Sequence, residues 1–230
     1  NGTKFFYEIP DEVLRVNTMG TFNMLNWISA SSAKGFFFAS SSEVYGYPKK
    51  FPTPESEEMS IPDPTNPRFS YSSSKMMGEM LCINFAKKYG IPYRIGIFHN
   101  IYGPRMGYEH VIPQFICRLV KNEVFTVQGD GSESRCFCYI DDAIEMLWRM
   151  MELPECEGMT MNLGTQNPEV SMKQLVETCF IIVNKELKIN AMPASPGSPV
   201  RRGPDMAATS KLIDFESQVG LKEGIDLTYD

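Results

Sequence analysis

Tyr71 and Lys75 stand four residues apart in the run Tyr71-Ser72-Ser73-Ser74-Lys75. That spacing is just over one helical turn, so both side chains project from one face. A phenol titrates near pH 10 in water, and a neighbouring ammonium favours its ionised form. A tyrosine poised in this way can take a proton from a hydroxyl and return it. The same spacing is common on helix surfaces, so the pair gains meaning only from what surrounds it. Ser40-Ser41-Ser42-Glu43 directly follows the apolar run Phe36-Phe37-Phe38-Ala39. A short continuous apolar run suits a strand buried on both faces. In a parallel α/β sheet the carboxyl ends of the strands are where ligands bind. Arg105, Arg135, Arg201 and Arg202 lie in or beside loop-like sequence. Their planar forks can pair two anionic oxygens at once, although each could equally be a solvated surface group.

The elements that must position these groups follow from the pattern of apolar residues. Asp11 and Glu12 place acid in a first helical turn, and apolar residues recur at helical spacing up to Lys34-Gly35. Six prolines between Pro48 and Pro67 mark a long loop, a length that is usually functional in a compact domain. The Tyr71 helix runs to about Tyr89, where Lys87-Lys88 and Gly90 close it. Tyr93–Phe98 is the next strand. Residues 111–122 form a short helix, Val124–Gln128 a strand and Gly129-Asp130-Gly131 a turn. Arg135–Ile140 alternates like a strand, and Asp141 or Asp142 is expected to cap the helix after it. Met159–Leu163 is a strand, and Ser171 with Gln174 makes a capping box for a helix through about Leu187. Residues 193–204, with four prolines, form a loop. Alternating helices and apolar strands predict an α/β fold built on a parallel sheet.

Composition narrows the function classes. The chain has 230 residues, a formal charge of −6 and no block of like charges, which excludes a nucleic-acid footprint. Its longest apolar runs are too short to span a bilayer. The six cysteines have no metal-ligand spacing and no disulfide pattern. They are expected to be reduced thiols in a cytoplasmic protein. His99 and His110 lack metal partners, so no metal is expected.

Six motifs in order carry a resemblance: Asn17-Thr18-Met19-Gly20-Thr21, Ser40-Ser41-Ser42-Glu43-Val44-Tyr45-Gly46, Tyr71-x-x-x-Lys75, Asn100-Ile101-Tyr102-Gly103-Pro104-Arg105, Gly129-Asp130-Gly131 through Arg135 to Tyr139-Ile140-Asp141-Asp142, and Arg202-x-Pro204-Asp205. Together they resemble the extended short-chain dehydrogenase/reductase family of NAD-dependent nucleotide-sugar epimerases, dehydratases and decarboxylases. The resemblance implies a Rossmann-like parallel sheet with a smaller C-terminal subdomain. Residues 1–102 and 134–165 would belong to the NAD-binding part, and 103–133 and 166–230 to the part that holds the nucleotide sugar.

It also implies roles. Tyr71 would be the general base at the sugar's 4-hydroxyl, with Lys75 lowering its pKa and Ser41 holding the same oxygen. Glu43 completes the catalytic set. Tyr71, Lys75, Asn17 and Ser40 would contact NAD, and Asn100, Arg135, Arg202 and Arg105 would contact the substrate. Dehydratases of the family have Asp before the Glu, whereas this chain has Ser42. A 4-epimerase is therefore expected first, with a UDP-glucuronate decarboxylase next and a 4,6-dehydratase third. The family pairs as homodimers through the helices of Asn17 and Tyr71. One departure is large: the family's opening strand, Gly-x-x-Gly-x-x-Gly turn and helix, which hold the NAD pyrophosphate, are absent from these residues. The expectation is a fragment that binds NAD poorly alone. A non-catalytic remnant that keeps only the dimer surface is the alternative from another class.

Overall fold

The computed structural model describes residues 2–123, 125–128, 130–183, 189–192 and 199–229. Val124, Gly129 of the expected turn, residues 184–187 of the predicted helix and residues 193–198 of the 193–204 loop lie outside these. The chain opens with α1 (Thr3–Glu8) and α2 (Pro10–Ala30). Pro10 starts α2 where a missing N–H costs nothing, and Asp11 and Glu12 follow it in the first turn. Next comes β1 (Phe36–Ser41), which runs into a 3-10 turn at Ser42–Tyr45. The long loop leads to α3 (Phe69–Tyr89), ended by Gly90 in the left-handed conformation. The order continues β2 (Tyr93–Phe98), β3 (Ile101–Tyr102), α4 (Val111–Val120), β4 (Phe125–Gln128), β5 (Ser134–Cys136) and β6 (Cys138–Tyr139). It then runs α5 (Ile140–Glu152), β7 (Thr160–Leu163), β8 (Glu169–Ser171), α6 (Met172–Val183), β9 (Ile189–Met192), β10 (Arg201–Arg202), α7 (Ala207–Ile213) and α8 (Leu221–Tyr229).

The central sheet is parallel, in the order β1–β2–β7. Alternate residues of β1 point to opposite faces. Phe36 and Phe38 pack with Leu25 and Ile28 of α2 and Cys82 of α3, whereas Phe37 packs with Met146 and Met150 of α5 and Ile213 of α7. The result is a helix–sheet–helix sandwich. Gly78 is the point where α3 closes on β1, since a Cβ there would run into the ring of Phe38. Among the described residues β1 pairs only with β2, and its phenylalanines are half-buried rather than enclosed. A second core joins Ile112, Phe115 and Leu119 of α4 to Leu175, Val176 and Cys179 of α6 and Ile225 of α8.

Local signals hold well. Ser171 and Gln174 make the reciprocal capping box, with the Ser171 N–H donating to Gln174 Oε1 at 2.8 Å and the Gln174 N–H to Ser171 Oγ at 3.1 Å. Two expectations are corrected. The strand expected at Arg135–Ile140 is two short strands in different sheets, β5 beside β8 and β10, and β6 beside β3. Asp142 does not cap α5. Its carboxylate accepts the N–H groups of Gln218 and Val219 and pins the loop before α8. No helix among the described residues is long and apolar enough to cross a membrane. No group of His, Cys, Asp and Glu among them could hold a metal, and all six cysteines are free thiols.

Candidate active site

A cavity of about 680 Å³ lies at the carboxyl ends of β1 and β2, within the range of small-molecule sites. Ser41, Glu43, Tyr71, Asn100, Arg135 and Arg202 all line it. They come from separate parts of the chain. Ser41 ends β1, Glu43 sits in the 3-10 turn, Tyr71 is in the first turn of α3, and Asn100 follows β2. Arg135 and Arg202 are neighbours across the β5–β10 pairing. That pairing is fixed from outside, because the long loop is stapled to the segment after β10. The Thr53 N–H donates to Gly203 O at 2.9 Å, and the Asp205 N–H to Thr53 O at 2.8 Å.

Tyr71 and Ser41 both line the cavity, and the Ser41 hydroxyl is near enough to act on the phenol. Its ring stacks on Phe6 of α1, with centroids 4.8 Å apart and planes at 9°. Its ionisation runs opposite to expectation. Burial raises the phenol above its ordinary value, the Ser41 hydroxyl pulls it down, and Glu43 pushes it further up. Lys75 does not reach the phenol oxygen. Its Nζ donates to the Ala39 carbonyl at 2.8 Å and lies 5.2 Å from the Phe38 ring centroid and 5.6 Å from that of Tyr71. The ammonium is thus held by the backbone of β1, and burial lowers its own pKa.

Glu43 is the most constrained anion of the cavity. Arg202 grips it in a fork, Nη1 to Oε1 at 2.5 Å and Nη2 to Oε2 at 3.1 Å. Arg68 Nη2 lies 3.4 Å from Oε1. Burial opposes ionisation, but Arg202 first and Arg68 after it bring the carboxyl down to about 2. Arg135 donates to the carbonyls of Ser134 at 2.7 Å and Pro199 at 2.7 Å and pairs with Glu133 at 3.0 Å. Burial and Arg202 bring its guanidinium down to about 10. Asn100 is left-handed at φ 44°, donates to the Cys136 carbonyl at 3.0 Å, and so bridges β2 to β5.

Four of the expected site residues lie outside the cavity lining, Lys75 among them. Asn17 donates to Ser74 Oγ at 2.9 Å and joins α2 to α3. Ser40 is buried and donates to Glu79, so its hydroxyl faces the helix layer. Arg105 is exposed, at φ 63°. In return the cavity contains residues that the sequence did not single out. Phe6 is one. Arg68 is another, and Pro67-Arg68 lies one turn ahead of Tyr71, where a search of the same helix face would have met it. His99, read as structural, is fully buried with Nε2 2.8 Å from Asn162 Oδ1. Burial pushes its imidazole down to about 3.

The donor set fits one end of a dinucleotide. Lys75 has three N–H donors and hydrogen-bonds the Ala39 carbonyl with one of them, which leaves capacity for ligand hydroxyls beside Tyr71. These 230 residues contain no glycine-rich strand–turn–helix to cradle a pyrophosphate.

Comparison with known proteins gives a consistent set. The model of the NAD dependent epimerase/dehydratase family matches residues 2–164. UDP-glucuronic acid decarboxylase 5 of Arabidopsis thaliana is 33% identical over 226 residues, which cover 97% of this chain and 64% of that protein. The UDP-glucose 4-epimerase of Thermotoga maritima, solved with UDP-glucose, superposes with a TM-score of 0.87 at 28% identity, covering 100% of this chain and 73% of its own. The UDP-glucuronic acid 4-epimerase of Bacillus cereus, solved with UDP-glucuronic acid and NAD, superposes at 0.80 with 27% identity, covering 93% of this chain and 66% of its own. The chain spans about two thirds of the length of these relatives, 64% in the decarboxylase.

Proposed function

The chain belongs to the NAD-dependent epimerase/dehydratase family, and we propose that it supplies the proton-transfer and sugar-binding half of an enzyme that transiently oxidises a nucleotide sugar at C4. The observation that carries this is that Tyr71 and Ser41 line one cavity at a strand's carboxyl end, together with Arg68, Arg135 and Arg202. Ser41 would hold the sugar's O4, and Tyr71 would take its proton and later return it. Tyr71 and Lys75 would hold the nicotinamide ribose of NAD, which would supply the hydride acceptor for C4. Because burial keeps the phenol protonated in the unliganded chain, the phenolate must be generated when the site fills. Arg202 and Arg135, side by side across the strand pairing, would hold the diphosphate.

The first product reading is 4-epimerisation, which needs only return of hydride to the other face of C4. The second is decarboxylation of a UDP-hexuronate. One observation favours it: Glu43 is bonded to Arg202, an arginine of the late Arg-x-Pro stretch. The decarboxylase kinship points the same way. α2 exposes Val16, Met19 and Trp27, and α3 exposes Met77 and Met80. Apolar surface of this kind supports a homodimer through these two helices.

The test uses the full-length protein with NAD. UDP-glucose and UDP-glucuronate are supplied in turn, and the product is scored as inverted at C4 or decarboxylated. Tyr71→Phe should lower kcat at least about 100-fold, the lower end of what a positioned acid–base group contributes. Turnover by the variant at the wild-type rate would exclude Tyr71 as the acid–base group.

A further inference from the structure

Beside Lys75 on α3 lies a buried carboxylate that the proton transfer does not use directly. Glu79 is one turn beyond Lys75, so the two side chains share a helix face. It is only 3% exposed. A carboxylate is kept in such a place where it meets a donor and a cation. The donor is the hydroxyl of Ser40, itself 3% exposed. The residue before Ser40 in β1 is Ala39, whose carbonyl accepts from Lys75 Nζ at 2.8 Å. Two successive residues of β1 are thus tied to two successive turns of α3. The tie reaches the site through Ser41, which follows Ser40, points the opposite way by strand alternation and lines the cavity.

Charge links the same groups. Burial lowers the Lys75 ammonium, and Cys82 and Glu79 push it back up. Burial also takes the Cys82 thiol up to about 12, so at neutral pH it carries no charge. Tyr45 in the 3-10 turn is raised too, by burial first, and is a neutral phenol there. From α2 the group that reaches this part of α3 is the uncharged Asn17 amide, bonded to Ser74. Glu79 is therefore the acid that faces the ammonium. Burial raises its carboxyl, while the Ser40 hydroxyl and then Lys75 pull it back down. We propose that Glu79 is a positioning residue of the proton-transfer centre, which anchors the end of β1 through Ser40 and serves as the counter-charge that keeps Lys75 an ammonium beside Tyr71. The effect on turnover rests on the C4-oxidation reading, whereas the effect on Lys75 itself does not need it.

The test is trace acetylation of the full-length protein, free of NAD, from neutral to alkaline pH, with peptide mass spectrometry read at each lysine. Only the free amine reacts, so the pH midpoint of labelling reports the ionisation of Lys75. In Glu79→Gln, which keeps an acceptor for Ser40 but loses the charge, the midpoint should move down and labelling at neutral pH should rise about 10-fold. Lys87 and Lys88 in the last turn of the same helix should not change. Glu79→Asp keeps the charge and withdraws it by one methylene. It should move the midpoint less, and it serves if the glutamine variant does not fold. An unmoved midpoint in both variants would overturn the assignment. So would a higher labelling plateau at an unmoved midpoint, which is the mark of loosened packing alone. Turnover of UDP-glucose and UDP-glucuronate by the NAD-loaded protein gives the second readout. Without Glu79 the ammonium loses its proton at a lower pH, so the alkaline limb of kcat should move down, with KM changed less than about twofold. A moved midpoint with an unmoved limb would overturn the positioning role. A moved midpoint in a parent that turns over neither sugar would leave the link between Glu79 and Lys75 standing and sink the C4 reading.

Discussion

Glu43 lies between Arg202 and Arg68 with its carboxyl near 2, and a group held that low stays ionised across the neutral range. Its chemistry in the resting cavity is that of a counter-ion, one that fixes where two guanidinium groups point. A carboxylate in this position is hard to remove. Glu43→Gln would leave two buried cations facing a neutral amide, and losing one partner of a buried pair costs about 3–5 kcal/mol. Denaturant unfolding of the variant should show a loss of that size, and a change below about 1 kcal/mol would contradict the pairing. Tyr71 belongs to the same scale. A helix pattern could show that Lys75 shares its face. It could not show that the ammonium would reach the Ala39 carbonyl instead of the phenol, because that choice is made by β1, thirty-six residues earlier.

The elements divide into those set by local chemistry and those set by partners. The capping box at Ser171, the Gly90 stop and the acidic first turn at Asp11 and Glu12 are satisfied within one or two turns, and each was legible from the residues. Asp142 was not, because the N–H groups of Gln218 and Val219 that it accepts lie far along the chain. The break inside Arg135–Ile140 was hidden for the same reason: β10, β8 and β3 impose two sheets on one alternating run. Phe6 escaped because nothing periodic marks a residue that matters by converging on a cavity, whereas Arg68 lay within reach of a search along the Tyr71 helix face. The contact of α3 with β1 gives a test at this scale. Gly78→Ala would ordinarily help a helix by roughly 1 kcal/mol. At this contact the added methyl meets the Phe38 ring, and overpacking of this kind costs about 1–3 kcal/mol. Urea unfolding should show the variant no more stable than the parent, and a gain of about 1 kcal/mol would mean that the helix and strand are not in close apposition.

At the scale of the molecule, two buried groups make the fold sensitive to acid. The His99 pKa is depressed in the folded state, from an ordinary 6.5 to about 3, so between those values the unfolded chain binds more protons. Stability is full above about pH 6.5 and falls as the pH drops through that window. Glu43 has the same sign: its contribution is present above its ordinary 4.5 and is lost as the pH falls towards about 2. Thermal melts from pH 7 to 4 should therefore decline, and His99→Asn should flatten the upper part of that decline. Identical slopes in the two proteins would show that His99 is not the group being titrated. The layered architecture also has an optical consequence. The two tryptophans sit on opposite helix layers, Trp27 on α2 and Trp148 on α5, 62% and 58% exposed, and neither lines the cavity. Intrinsic emission from this protein thus reports its outer faces and not the state of its site. A blue shift traced to Trp27 signals that the α2 layer has been covered, while Trp148 supplies an independent reading of the opposite side.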